Sequence, residues 1–138
     1  MMKKIFLTAG VFDLLHYGHY ELFRRIKEMA GAEGVLTVAL QEDEWVAKYK
    51  DVKLVYNWQQ RKNMIAAIRY VNDVVPYTAI DQSIKDIPLD VFVVGEDQCH
   101  SGFQAAMRWC REQDKEVFVM PRTKGISTTD LKKCIKNM

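Results

Sequence analysis

Short runs of β-branched and aliphatic residues alternate along the whole chain with longer stretches whose apolar positions recur every three or four residues. The short runs predict strands over 4–9, 35–40, 73–75, 90–94 and 117–120. The fourth is continuously apolar, as a strand covered on both faces requires, and the last ends at Pro121. The periodic stretches predict helices over 18–30, 58–70, 101–114 and 128–137, and in the first of them Leu22, Ile26 and Met29 share one stripe. Alternation of this kind predicts a doubly wound α/β domain: a mainly parallel five-stranded sheet with helices on both faces. Ligands of such domains sit beyond the carboxyl ends of the strands, where the winding reverses, so the loops that follow strands are the places to search. The polar, aperiodic stretch 48–53 reads as a loop over such a site.

Composition narrows the class without changing this picture. A chain of 138 residues, 49% hydrophobic, with only 3 Pro and 7 Gly, predicts one domain spanning 1–138 and excludes disordered and low-complexity classes. A net charge of +2 is too mild for a duplex nucleic-acid binder or an anionic membrane surface, so an anionic ligand must be held by local groups. No apolar run approaches the roughly 18 residues of a spanning helix. The start, Met1 to Ala9, superficially copies a signal peptide, but Asp13 cuts it and no cleavage site follows, so the expectation is a cytoplasmic protein. Cys99, Cys110 and Cys134 form neither a C-x-x-C pair nor an even disulfide set.

The first predicted strand runs into Gly10-Val11-Phe12-Asp13-Leu14-Leu15-His16-Tyr17-Gly18-His19, a turn opening directly into a helix. A helix starting near Gly18 points its first N–H groups and positive dipole end at the mouth of a site, which favours phosphate. Gly18 permits close backbone approach, and His16 and His19 add donors whose bonds strengthen as negative charge develops in a transition state. Taken alone, an H-x-x-H pair also suits ordinary helix-start polarity or a metal site, and His100 with Asp97 nearby keeps a zinc site open by count, well below the phosphate reading.

The last predicted strand leads into Pro121-Arg122-Thr123-Lys124-Gly125-Ile126-Ser127-Thr128-Thr129-Asp130-Leu131, which repeats the design. Ser127 reads as an N-cap with Asp130 three residues on, and Arg122 with the exposed N–H groups and the hydroxyls of Thr123, Thr128 and Thr129 would grip phosphate oxygens. Two such helix starts in one small domain imply a polyphosphate ligand.

These two motifs, with Gln59-Gln60-Arg61-Lys62 and Ile68-Arg69-Tyr70-Val71-Asn72-Asp73-Val74 between them, make the chain resemble the cytidylyltransferases over nearly its whole length. The likeness is greatest to the bacterial branch acting on glycerol 3-phosphate. The resemblance implies a Rossmann-like, homodimeric enzyme that joins CTP to a phosphorylated small alcohol, with Mg²⁺ present, and releases pyrophosphate by in-line attack on the α-phosphorus. It implies that His16 and His19 hold the CTP phosphates and stabilise the transition state, with Arg122, Thr123, Ser127 and Thr128 opposite. Gly10, Val11, Phe12, Asp13, Gly18, Gly125 and Ile126 complete the implied nucleotide set, and no side chain is implied as a metal ligand. Lys48 and Lys50 match a basic pair that closes over the phosphates, Asp97 an acceptor for the cytosine amino group, and Arg61 and Arg69 arginines near the site and dimer interface.

Three positions depart from the pattern. Val11 stands where the glycerol-phosphate enzymes have threonine, and Asn72 replaces an aspartate of the middle signature. Gln98-Cys99-His100-Ser101-Gly102 follows Asp97 where that branch continues with tryptophan, glycine and lysine, so His100 and nearby residues are expected to read a different acceptor head group. Other readings are an ATP-using adenylyltransferase of the same superfamily, a non-catalytic nucleotide-binding module, and a zinc hydrolase built on His16, His19 and His100.

Overall fold

The computed structural model describes residues 3–49 and 52–138. Five strands, β1 (Ile5–Gly10), β2 (Val35–Gln41), β3 (Asp73–Tyr77), β4 (Val91–Gly95) and β5 (Glu116–Met120), alternate with helices. These are α1 (Tyr17–Ala30), α2 (Asp43–Tyr49), α3 (Trp58–Ala66), α4 (Ile80–Ser83, continued by a 3₁₀ turn over Ile84–Asp86), α5 (Ser101–Glu112) and α6 (Thr128–Lys136). All strand pairings are parallel, in the order β3-β2-β1-β4-β5. The chain therefore winds outward from β1 to β3, crosses back, and winds outward again through β4 and β5, placing the reversal between β1 and β4.

Side-chain alternation along the strands divides the core into two layers. Phe6, Leu36, Val38, Leu40, Val93 and Met120 pack against Phe23 and Ile26 of α1 and Ile65 of α3. Leu7, Ala9, Phe92 and Val94 face the other way, onto Ile80 and Ile84 and onto Phe103, Ala106 and Cys110 of α5. Pro76 is tolerated in β3 because that strand is an edge, whose outer N–H groups pair with no strand.

Two helices escape the periodicity argument, α2 and the α4 turn, because seven and four residues are too short to display a 3.6-residue repeat. Asp43 and Glu44 favour the α2 start through the helix dipole, so the segment called polar loop begins inside a helix that carries Lys48 in its last turn. The helix expected over 58–70 ends at Ala66. Ile68 and Val71 then make single turns back to Ile65 and Ile68, and the Asn72 N–H meets the Leu36 carbonyl, delivering the chain into β3. The Asn72 amide oxygen accepts from the Leu36 N–H at 2.9 Å and from Lys27 Nζ at 3.0 Å, a role within one chain that an uncharged side chain performs.

Arg61 joins the parts that surround the first loop. Its side chain is fully buried and donates to the carbonyls of Val11 (2.8 Å), Gln41 (3.0 Å) and Tyr56 (3.2 Å) and to the Asp43 carboxylate. Asp13 complements it, accepting the N–H groups of Val55 (2.7 Å) and Tyr56 (3.0 Å) and thereby tying the segment after α2 to the β1–α1 loop.

Candidate active site

A cleft of about 640 Å³ opens at the carboxyl ends of the strands, between the start of α1, the end of β4 and the loop from β5 to α6. Of the sequence-derived set, His16, Gly18, His19, Asp97, Arg122, Thr123, Ile126, Ser127 and Thr128 line it. The two motifs, about a hundred residues apart in sequence, thus form opposite walls of one cavity.

The histidines are held by the helix they begin. His16 is the N-cap of α1, its Nδ1 accepting the Gly18 N–H at 3.0 Å, and His19 Nδ1 accepts the His16 N–H at 3.1 Å. The backbone carbonyl of His16 takes the N–H groups of His19 and Tyr20. The N–H groups of Gly18, His19 and Tyr20 are therefore consumed locally, and imidazole is what this part of the helix start offers the cleft. Because Nδ1 of each ring accepts, the proton of each neutral ring sits on Nε2, as a donor.

Charge is kept off both rings. Burial, and secondarily the neighbouring His16, pushes His19 down to about 3 from its ordinary 6.5. Burial and then Arg122 lower His16 as well. The rings stack with centroids 3.7 Å apart, where two imidazolium charges would repel by about 4 kcal/mol at an effective dielectric of 20. The pair is two neutral N–H donors.

Gly18 makes this packing possible. A Cβ there would stand 2.8 Å from His16 Cε1 and 3.3 Å from Ile126 Cγ2, so the absent side chain admits both the capping ring and the C-terminal loop. Gly10 serves one step further back, since its Cβ would meet the Phe12 ring at 2.9 Å. Phe12, in the left-handed region at φ 52°, places its ring edge-on to His19 at 5.2 Å and against Phe23 at 5.3 Å, wedging His19 in place.

Across the cleft Ser127 caps α6, its Oγ accepting the Asp130 N–H at 3.0 Å, as the spacing predicts. Gly125 takes φ 80° in the loop before it and lies outside the cleft lining. Gly10, Val11, Phe12 and Asp13 also lie outside the lining; they support the histidines and the neighbouring loop instead. Lys48 is exposed at the end of α2 with Nζ 4.7 Å from the Trp45 ring centre, and it does not line the cleft. Lys50 lies outside the described residues.

His100 takes the role at α5 that His16 takes at α1. It is the N-cap, Nδ1 accepting the Gly102 N–H at 3.2 Å with the ring edge-on to Phe103, and it does not line the cleft. Gln98 bridges the reversal point itself, donating to the Ala9 carbonyl at 2.8 Å and accepting the Gly95 N–H at 2.9 Å. Arg69 donates to Tyr70 Oη at 3.1 Å on the surface.

Leu22, Arg25 and Asp130 line the cleft without having been singled out as site residues. A signal existed for two of them, since Gly18, Leu22 and Arg25 fall at i, i+4 and i+7 on one face of α1. Asp97 and Asp130 are the cleft's carboxylates, and among the described residues no group of three or more metal-ligating side chains is present. Such a donor set suits a divalent ion carried on a ligand's phosphates and water better than one caged by protein.

The model of the Cytidylyltransferase-like family matches residues 7–134. The glycerol-3-phosphate cytidylyltransferase of Staphylococcus aureus is 40% identical over 134 residues, covering 95% of this chain and 93% of its own. That of Bacillus subtilis is 37% identical over 140 residues, covering 99% and 100%. In fold, the crystal structure of the lipopolysaccharide core biosynthesis protein from Thermoplasma volcanium superposes with a TM-score of 0.70 at 19% identity, over 89% of this chain and 98% of its own. With a single cleft built from both terminal motifs, a family match across that span and relatives alike from end to end, the chain belongs to the cytidylyltransferase-like family.

Proposed function

We propose that the protein is a nucleotidyltransferase that transfers CMP from CTP to a phosphorylated small alcohol of the glycerol-phosphate type, giving a CDP-alcohol and pyrophosphate. The observation that carries this reading is the pair of neutral Nε2–H donors on His16 and His19 facing Arg122, Thr123 and Ser127 across one cleft. An acceptor phosphate oxygen attacks the α-phosphorus, the new P–O bond forms as the bond to the β-phosphate bridging oxygen breaks, and pyrophosphate leaves with the electron pair. A phosphate dianion needs no base, which suits rings whose Nδ1 is already occupied. The histidines donate to oxygens that gain charge in the transition state, and catalysis rests on positioning and electrostatics.

Arg122 and the α6 start hold the triphosphate from the opposite wall, and Asp97 accepts from the exocyclic amino group that cytosine carries and uracil lacks. Mg²⁺ would be held mainly by the ligand's phosphates, with Asp130 as the cleft carboxylate available to it, and would neutralise phosphate charge there. A homodimer is the proposed assembly, supported by the surface group of exposed Tyr17, Tyr20 and Arg69 with half-buried Tyr70, a composition enriched at interfaces; light scattering reads the mass.

Pyrophosphate release from each of four nucleoside triphosphates, with Mg²⁺, against a panel of phosphorylated alcohols tests the reading, with His16→Ala as control. Release with CTP and a glycerol-phosphate-like acceptor, lost in the control, is the expected result. Turnover with ATP alone would make it an adenylyltransferase, and CTP binding without release across the panel would make it a nucleotide-sensing module.

A further inference from the structure

Pro121 and Arg122 share one peptide group, and both of its polar ends are held by side chains from elsewhere in the chain. Arg25 of α1 donates from Nη1 to the Pro121 carbonyl at 2.8 Å. Glu96, one residue past β4, accepts the Arg122 N–H at Oε1, also at 2.8 Å. The Glu96 backbone is itself anchored, its N–H meeting the Met120 carbonyl at 3.1 Å. β5 ends at Met120, so beyond that point no strand partner sets the plane of the chain.

The two contacts act in the same sense on one dipole, a guanidinium at its negative end and a carboxylate at its positive end, and each is a charge-assisted hydrogen bond. We propose that Arg25 and Glu96 are positioning residues for the transfer reaction: together they clamp the Pro121–Arg122 peptide and so aim the Arg122 side chain into the cleft. The inference rests on Arg122 being a phosphate ligand, as argued above. Arg25 lines the cleft and has a phosphate-binding explanation of its own, but Glu96 has none. A carboxylate beside a triphosphate repels it, so by charge alone removing Glu96 would tighten CTP binding; the clamp demands the opposite sign.

The test is steady-state pyrophosphate release with CTP and glycerol 3-phosphate for Glu96→Ala, Glu96→Gln, Arg25→Ala, Arg122→Ala and the Glu96→Ala/Arg122→Ala double variant, with thermal midpoints in parallel. Glu96→Ala and Arg25→Ala are expected to lose about tenfold in kcat/KM for CTP, with the midpoint within a few degrees of the parent. Glu96→Gln keeps an acceptor oxygen for the Arg122 N–H and is expected within about threefold of the parent. A residue that works only through Arg122 adds nothing once Arg122 is gone, so the double variant should match Arg122→Ala within about twofold. Unchanged or higher kcat/KM in Glu96→Ala, or additive losses in the double variant, would overturn the clamp. An Arg122→Ala enzyme as active as the parent would instead remove the phosphate role of Arg122.

Discussion

Gly18→Ala separates stability from activity in a way the structure makes quantitative. The added methyl would sit 2.8 Å from His16 Cε1 and 3.0 Å from its Nδ1, against an ordinary carbon contact of at least 3.4 Å. The ring must swing away by several tenths of an ångström, which stretches the Gly18 N–H bond to Nδ1 from 3.0 Å to beyond hydrogen-bonding range. Loss of a cap costs about 1 kcal/mol, while replacing glycine by alanine in a helix returns up to about 1 kcal/mol. The midpoint of thermal unfolding should therefore move by no more than a few degrees. Activity has no such compensation. The released ring no longer has its tautomer fixed by the backbone or its Nε2–H aimed at the phosphates, and losing one such donor costs about a hundredfold in kcat, roughly 2.7 kcal/mol of transition-state stabilisation. Circular dichroism melting and CTP-dependent pyrophosphate release read the two quantities, and ¹⁵N shifts of the imidazole report the tautomer. Retention of more than a third of parental kcat would refute the argument that Gly18 exists to admit the capping ring.

Three further outcomes concern His19 and Arg61. In His19→Asn the amide oxygen reproduces the acceptor that Nδ1 offers to the His16 N–H, but nothing replaces the Nε2 donor; folding at pH 8 should be near parental while kcat falls about a hundredfold. The same variant tests the pH dependence of stability. His19 is held at about 3 when folded and near 6.5 when unfolded, so its neutral form stabilises the fold in full above pH 6.5, and that contribution is lost as the pH falls toward 3. Urea titrations should show about 2 kcal/mol lost from this group between pH 8 and 5, absent in His19→Asn; equal slopes in both proteins would assign the acid sensitivity elsewhere. Arg61→Met should destabilise by about 3–5 kcal/mol in the same titrations, because it strands three carbonyls and leaves Asp43 without its guanidinium. A loss under about 1 kcal/mol would mean that water replaces those bonds.

Hydropathy patterning by itself determined the order of five strands and four of the helices, and with it the parallel sheet, because a strand buried on both faces and a helix buried on one stripe must repeat with their own periods. The two terminal motifs were legible too, since the chemistry of phosphate binding needs glycine, histidine, arginine and hydroxyl residues at helix starts, and those residue types are visible without coordinates. Short elements such as α2 were not, having too few residues to repeat. Only the tertiary structure decided which atom of each side chain does what. Nothing in Asp13 reveals that both its oxygens are taken by Val55 and Tyr56, or in Arg61 that a helical arginine is buried among carbonyls drawn from three other segments. The histidines show the limit best: their spacing marks them as donors, but the backbone bonds to Nδ1 select Nε2, and burial against Phe12 and the facing loop keeps both rings neutral. Residue type and period are local properties written along the chain, whereas partner, tautomer and charge depend on groups that folding alone brings within a few ångströms.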